Sequence, residues 1–84
     1  MKVLIIDDER SIRNTLKEIL EFEGHEISLA ADGKEGLEMA LAGNFDVIFC
    51  DIKMPGMDGV EVLEKLVENG VDSSIVMISG HGSI

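Results

Sequence analysis

A doubly wound α/β domain, three layers deep around a parallel sheet, is the fold class this sequence predicts. Three observations predict it. Val3-Leu4-Ile5-Ile6, Val47-Ile48-Phe49-Cys50 and Ile75-Val76-Met77-Ile78 are short, unbroken apolar runs that read as strands, the first two buried on both faces. Segments with apolar residues at helical spacing lie between them. Strands separated by helices imply right-handed crossovers, and hence strands running in one direction.

Taken in order, Lys2 to Asp7 reads as a strand. Arg10 to Glu23 reads as a helix with Ile12, Leu16, Ile19 and Leu20 in one stripe, stopped by Gly24. His25 to Ala30 alternates, with Ile27 and Leu29 opposed to Glu26 and Ser28, which suits a half-exposed edge strand. Asp32 and Glu35 have capping-box spacing and open a second helix with Leu37, Ala40 and Leu41 inward, closed by Gly43-Asn44. Phe45 to Cys50 is a second doubly buried strand, followed by a loop that holds the only proline, Pro55. Asp58 and Glu61 cap a third helix with Val60, Leu63, Leu66 and Val67 inward, ended by Asn69-Gly70. Ser74 to Ser79 is the last strand, and Gly80 to Ile84 a loop.

The 84 residues suffice for one domain, 1–84, with a thin stability margin. The composition, 45% hydrophobic and 29% charged, is that of a globular chain. A net charge of −10 with seven basic residues argues against direct nucleic-acid binding, which requires cations on the phosphates. No apolar run reaches the length of a membrane span, and the double Asp after Ile6 is wrong for a signal peptide. A cytoplasmic protein is therefore expected. Cys50 is the only cysteine and falls inside an apolar run, which makes it a small core residue and rules out an intrachain disulfide. His25 and His81 read as surface residues, and Met54 and Met57 as loop packing.

The chemistry lies where the strands end. Ligands of open parallel sheets bind beyond the carboxyl ends of the strands, and Asp7, Asp8, Asp51 and Ser79 all occupy such ends. Helix capping accounts for one of the paired Asp residues but not for the second, nor for Asp51. Three converging carboxylates repel one another unless a hard cation joins them, and Mg²⁺ takes oxygen ligands of this kind. Without the cation one carboxylate should have a raised pKa. A carboxylate also attacks phosphorus as a nucleophile. Asp51, alone on its strand end, is the better nucleophile, and Asp7 and Asp8 are better placed to hold a metal.

Asp7-Asp8-Glu9, the stretch Asp51-Ile52-Lys53-Met54-Pro55-Gly56-Met57-Asp58-Gly59 and Ile78-Ser79-Gly80 together resemble the receiver domain of two-component response regulators. The likeness runs the length of the chain in the expected order. The ending Ser79 to Ile84 is similar to receivers of the nitrogen-regulation type, which precede an ATPase that activates transcription. The resemblance implies a flavodoxin-like fold. It implies that Asp51 accepts a phosphoryl group from the phosphohistidine of a sensor histidine kinase, in a Mg²⁺-dependent reaction that regulates an output domain. Asp8 would bind the metal directly, Asp7 directly or through water, and Asp51 and the Lys53 backbone carbonyl would complete the protein ligands. Ser79 would be the switch hydroxyl on the phosphoryl oxygen, and Pro55 and Gly59 would shape the loop after Asp51. Such a domain is a phosphoacceptor rather than an enzyme.

The complete family domain has five strands in the order 2-1-3-4-5. The chain stops after the fourth, and so lacks the fourth helix, fifth strand, fifth helix, and the Lys and aromatic switch position of the family. None of Lys2, Lys17, Lys34 or Lys65 sits at a matching strand end, and weak phosphorylation is expected. An open fourth strand also predicts a homodimer or higher oligomer through that edge. Two alternatives stand beside the signalling module: a self-associating structural fragment, and a metal-dependent phosphatase with an aspartyl nucleophile. The phosphatase pattern has its second Asp two residues after the nucleophile on the first strand; here Asp7 and Asp8 are adjacent and Asp51 lies on another strand.

Overall fold

The computed structural model describes residues 1–78. Four strands, β1 (Lys2–Ile6), β2 (Glu26–Ala30), β3 (Val47–Asp51) and β4 (Ser74–Ile78), alternate with three helices, α1 (Arg10–Phe22), α2 (Gly33–Ala42) and α3 (Gly59–Glu68). The strands form one parallel sheet in the order β2-β1-β3-β4. This is the predicted α/β class, and each element begins and ends within two residues of its expected place.

The helix starts follow from local chemistry. Asp58 accepts from the Glu61 N–H at 2.9 Å and Glu61 Oε1 accepts from the Asp58 N–H at 3.4 Å, the reciprocal capping box. At α2, Asp32 accepts from the Glu35 N–H, but Glu35 Oε1 reaches back to the Ala31 N–H instead of its neighbour. The start of α1 is different: its N-cap, Glu9, makes no side-chain capping bond.

The core lies between the sheet and the α2–α3 layer. Leu4, Ile6, Ile48 and Cys50 from the sheet meet Ala40, Val62 and Leu66 from the helices. Gly36 brings α2 close to β1, since a Cβ there would meet Ile6 Cγ1 at 2.6 Å. β1 is buried on both faces, from Val3 to Ile6.

Several inward assignments change. On α3 the sheet-facing pair is Val62 and Leu66, four residues apart, so Val60 and Val67 flank the contact and are exposed; Leu41 on α2 is likewise exposed. No residue of α1 is buried, and Ile19 is 54% exposed. α1 lies across β1 and β2, which leaves Val47 and Phe49 on β3 half-buried and Val76 on β4 exposed. The doubly buried reading thus holds for β1 but not for β3, while β4 is the open strand expected of it.

Candidate functional site

Parallel pairing with β1 central brings the chemistry-bearing strand ends together. Ile6 is in register with Cys50, so the residues that follow, Asp7 and Asp51, emerge side by side at one edge of the sheet. Asp7, Asp8 and Asp51 each present an atom to one site, and these atoms all lie within 4.8 Å of one another. Asp7 is 1% exposed and Asp51 fully buried, while Asp8 is half-buried and faces a shallow cleft with Lys53, Met54, Pro55 and Asp58.

Asp7 is held at every polar atom but one. Its N–H donates to the Ala30 carbonyl at 3.1 Å, continuing the β1–β2 ladder by one bond. Its Oδ1 accepts from the Glu9 N–H at 2.8 Å, and its carbonyl accepts from Arg13 Nη1 at 2.7 Å. Oδ2 is buried and accepts no hydrogen bond. Burial pushes the Asp7 carboxyl above its ordinary pKa of 3.8; the Glu9 N–H opposes this, and the charges of Asp51 and Asp8 add to it. The raised carboxylate expected from the sequence is therefore Asp7.

The loop after Asp51 is pinned at both ends. The Ile52 N–H donates to the Ile78 carbonyl at 3.0 Å, and the Gly59 N–H donates to the Ile52 carbonyl at 2.9 Å. Gly59 leaves no room for a side chain: a Cβ would collide with the Asp51 carbonyl oxygen and meet Ile52 Cα at 2.8 Å. Gly56, at φ 76°, makes the turn after Pro55. Met54 is buried in the core and Met57 packs against it, the loop packing expected of both.

A hard cation fits this donor set. Three carboxylates offer oxygen, each with a buried oxygen that accepts no hydrogen bond, and a divalent charge would convert their mutual repulsion into attraction. Cys50 is not a ligand: it is fully buried, its Sγ points at the Asp51 carbonyl at 3.6 Å, and burial beside Asp51 and Asp7 pushes its thiol up to about 12. Lys53 lines the same cleft as Asp8. Ser79, His81 and the Gly80–Ile84 ending lie outside the described residues; Ile78, just before Ser79, is in register with Asp51.

Arg13 was not singled out by sequence reasoning. Its signal was available: a cation in the first turn of a helix that starts three residues after Asp7.

Comparison with known proteins places this site in context. A family model, the response regulator receiver domain, matches residues 3–84. The response regulator MprA of Mycobacterium avium is 36% identical over all 84 residues, and that of Mycobacterium leprae 37%. The chain spans 37% of the length of each. Among solved structures, the response regulator TrrA of Thermotoga maritima in complex with Mg²⁺ and a beryllium fluoride superposes with a TM-score of 0.90 at 38% identity, covering 96% of this chain and 70% of that one. TrrA has also been solved in complex with the histidine kinase ThkA, where it matches with a TM-score of 0.88, covering 98% of this chain and 71% of that one. The chemotaxis protein CheY4 of Vibrio cholerae gives 0.88 at 37% identity, over 98% of this chain and 70% of its own. With the fold, the clustered carboxylates and these matches in agreement, the chain belongs to the response regulator receiver domain family.

Proposed function

We propose that this domain accepts a phosphoryl group on Asp51 from the phosphohistidine of a sensor histidine kinase, with Mg²⁺ bound by Asp8, Asp7, Asp51 and the Lys53 carbonyl. The observation that carries this reading is the convergence of three carboxylates at the end of β1 and β3, within 4.8 Å of one another, with a buried oxygen of Asp7 accepting no hydrogen bond. The Mg²⁺ and kinase complexes of TrrA support it by likeness.

In the transfer, a carboxylate oxygen of Asp51 attacks phosphorus as the P–N bond of phosphohistidine breaks. The departing imidazole nitrogen takes the electron pair, and an acyl phosphate forms on Asp51. When bound, Mg²⁺ supplies charge neutralisation for the phosphoryl oxygens. β3 places Asp51 at its carboxyl end, and the Asp51 carbonyl is braced by Gly59. Ser79 would receive a phosphoryl oxygen as the switch hydroxyl. The module acts as a phosphoacceptor for an output domain that controls transcription, in keeping with relatives far longer than this chain. Family membership lends the aspartyl-phosphatase alternative no support.

Self-association is a second part of the proposal. β4 is an edge strand among the described residues, with Val76 41% exposed, and Phe22 at the end of α1 is 89% exposed. Strand addition by a second copy would cover the β4 edge.

NMR titration with Mg²⁺ and then beryllofluoride tests the phosphoacceptor reading. Amide shifts should concentrate at Asp7, Asp8, Asp51 and the Lys53–Gly59 loop, and vanish in Asp51→Ala for the beryllofluoride step. Shifts that survive that substitution would contradict it.

A further inference from the structure

We infer that Arg13 is a positioning residue for the cation site: by holding the Asp7 carbonyl, it sets the peptide plane from which the Asp7 and Asp8 carboxylates project. This rests on the phosphoacceptor reading and extends it to a residue that reading does not use.

The geometry is specific. Arg13 closes the first backbone bond of α1, its N–H donating to the Glu9 carbonyl at 3.1 Å. Its guanidinium then turns back, and Nη1 donates to the Asp7 carbonyl at 2.7 Å, a short charge-assisted bond. Asp8 follows that carbonyl directly, so the orientation of the Asp7–Asp8 peptide decides where both side chains point. The other bonds of Asp7, from its N–H to Ala30 and from Glu9 to its Oδ1, fix its Cα and one carboxylate oxygen. They do not restrain its carbonyl. Arg13 does so, and it is half-buried in the first turn of α1. α1 has no acidic residue in its first turn and its N-cap side chain makes no capping bond, so this bond and the one from the Glu9 N–H to Asp7 Oδ1 tie its start to the end of β1.

Charge and positioning predict opposite signs. Arg13 is a cation close to an acidic cation site, and Coulomb repulsion alone means that removing it should tighten Mg²⁺ binding. Loss of positioning means the reverse, since removing groups that orient metal ligands typically weakens binding by about 10–100-fold.

The test is Mg²⁺ affinity by calorimetry on the full chain for wild type, Arg13→Ala, Arg13→Lys and Asp8→Asn, with thermal midpoints in EDTA as the fold control. Arg13→Ala should weaken Mg²⁺ binding by about tenfold or more. Arg13→Lys, which keeps a donor and the charge, should recover part of the loss, and the midpoint gained on adding Mg²⁺ should shrink more than the EDTA midpoint moves. Arg13→Ala affinity equal to or tighter than wild type, beside an Asp8→Asn that has lost Mg²⁺, overturns this inference and leaves the phosphoacceptor reading standing. A wild type that binds no Mg²⁺ overturns both. If Arg13→Ala does not fold in EDTA, Arg13→Lys decides: unchanged affinity there overturns the inference, and weakened affinity supports it.

Discussion

Asp7 and Asp51 leave neighbouring strands one step beyond the paired residues Ile6 and Cys50, and both are buried beside each other. Burial, with the charges of Asp51 and Asp8 added to it, holds the Asp7 carboxyl above its ordinary pKa.

The pH dependence follows from that shift. The folded-state pKa of Asp7 lies above its unfolded value, so its contribution to stability is fully present below the unfolded pKa and is lost as pH rises through the folded one. In EDTA, Asp7→Asn should therefore be more stable than wild type at neutral pH, with the difference disappearing towards pH 3.8. A gain of 1 kcal/mol would raise the midpoint by about 4–8 °C in a domain of this size. Thermal melts of both proteins across that range check it.

Mg²⁺ should stabilise wild type and not Asp7→Asn or Asp8→Asn. At a hundredfold excess over the dissociation constant the gain is about 2.7 kcal/mol. Chelation should return the wild-type melt to its metal-free position, as read by circular dichroism.

Gly59→Ala should destabilise the fold by about 1–3 kcal/mol, because its Cβ has only the Asp51 carbonyl and Ile52 Cα to displace. The same change should disturb the amide resonances of Asp51 and Ile52 more than those of α2. Urea denaturation and a two-dimensional NMR spectrum measure the two effects.

Val76→Lys should reduce self-association, since a charge on an exposed edge strand blocks pairing. Light scattering across a concentration series gives the mass of wild type and variant. A wild type that stays monomeric at high concentration would remove the oligomer from the proposal.

Much of this was legible in the chain. Unbroken apolar runs mark β1, β3 and β4, and Asp58 with Glu61 marks the start of α3 to the residue. The convergence of Asp7, Asp8 and Asp51 followed from strand ends alone. What was not legible depends on rotation and coverage. Val60 and Val67 are as hydrophobic as Val62, and only the axial orientation of α3 decides that Val62 faces the sheet. The half-burial of Phe49 reflects where α1 lies across the sheet, which no local pattern records. The bond from Arg13 to the Asp7 carbonyl was only half legible: a cation early in α1 hints at it, but a backbone carbonyl has no signature in sequence to name the partner.

The most direct test of the phosphoacceptor is intact mass after acetyl phosphate treatment, with Mg²⁺ and with EDTA, on wild type and Asp51→Ala. Wild type with Mg²⁺ should gain the mass of one phosphoryl group, and neither the EDTA sample nor Asp51→Ala should. Equal labelling of Asp51→Ala, or no labelling of wild type at any Mg²⁺ concentration, would contradict the assignment of Asp51.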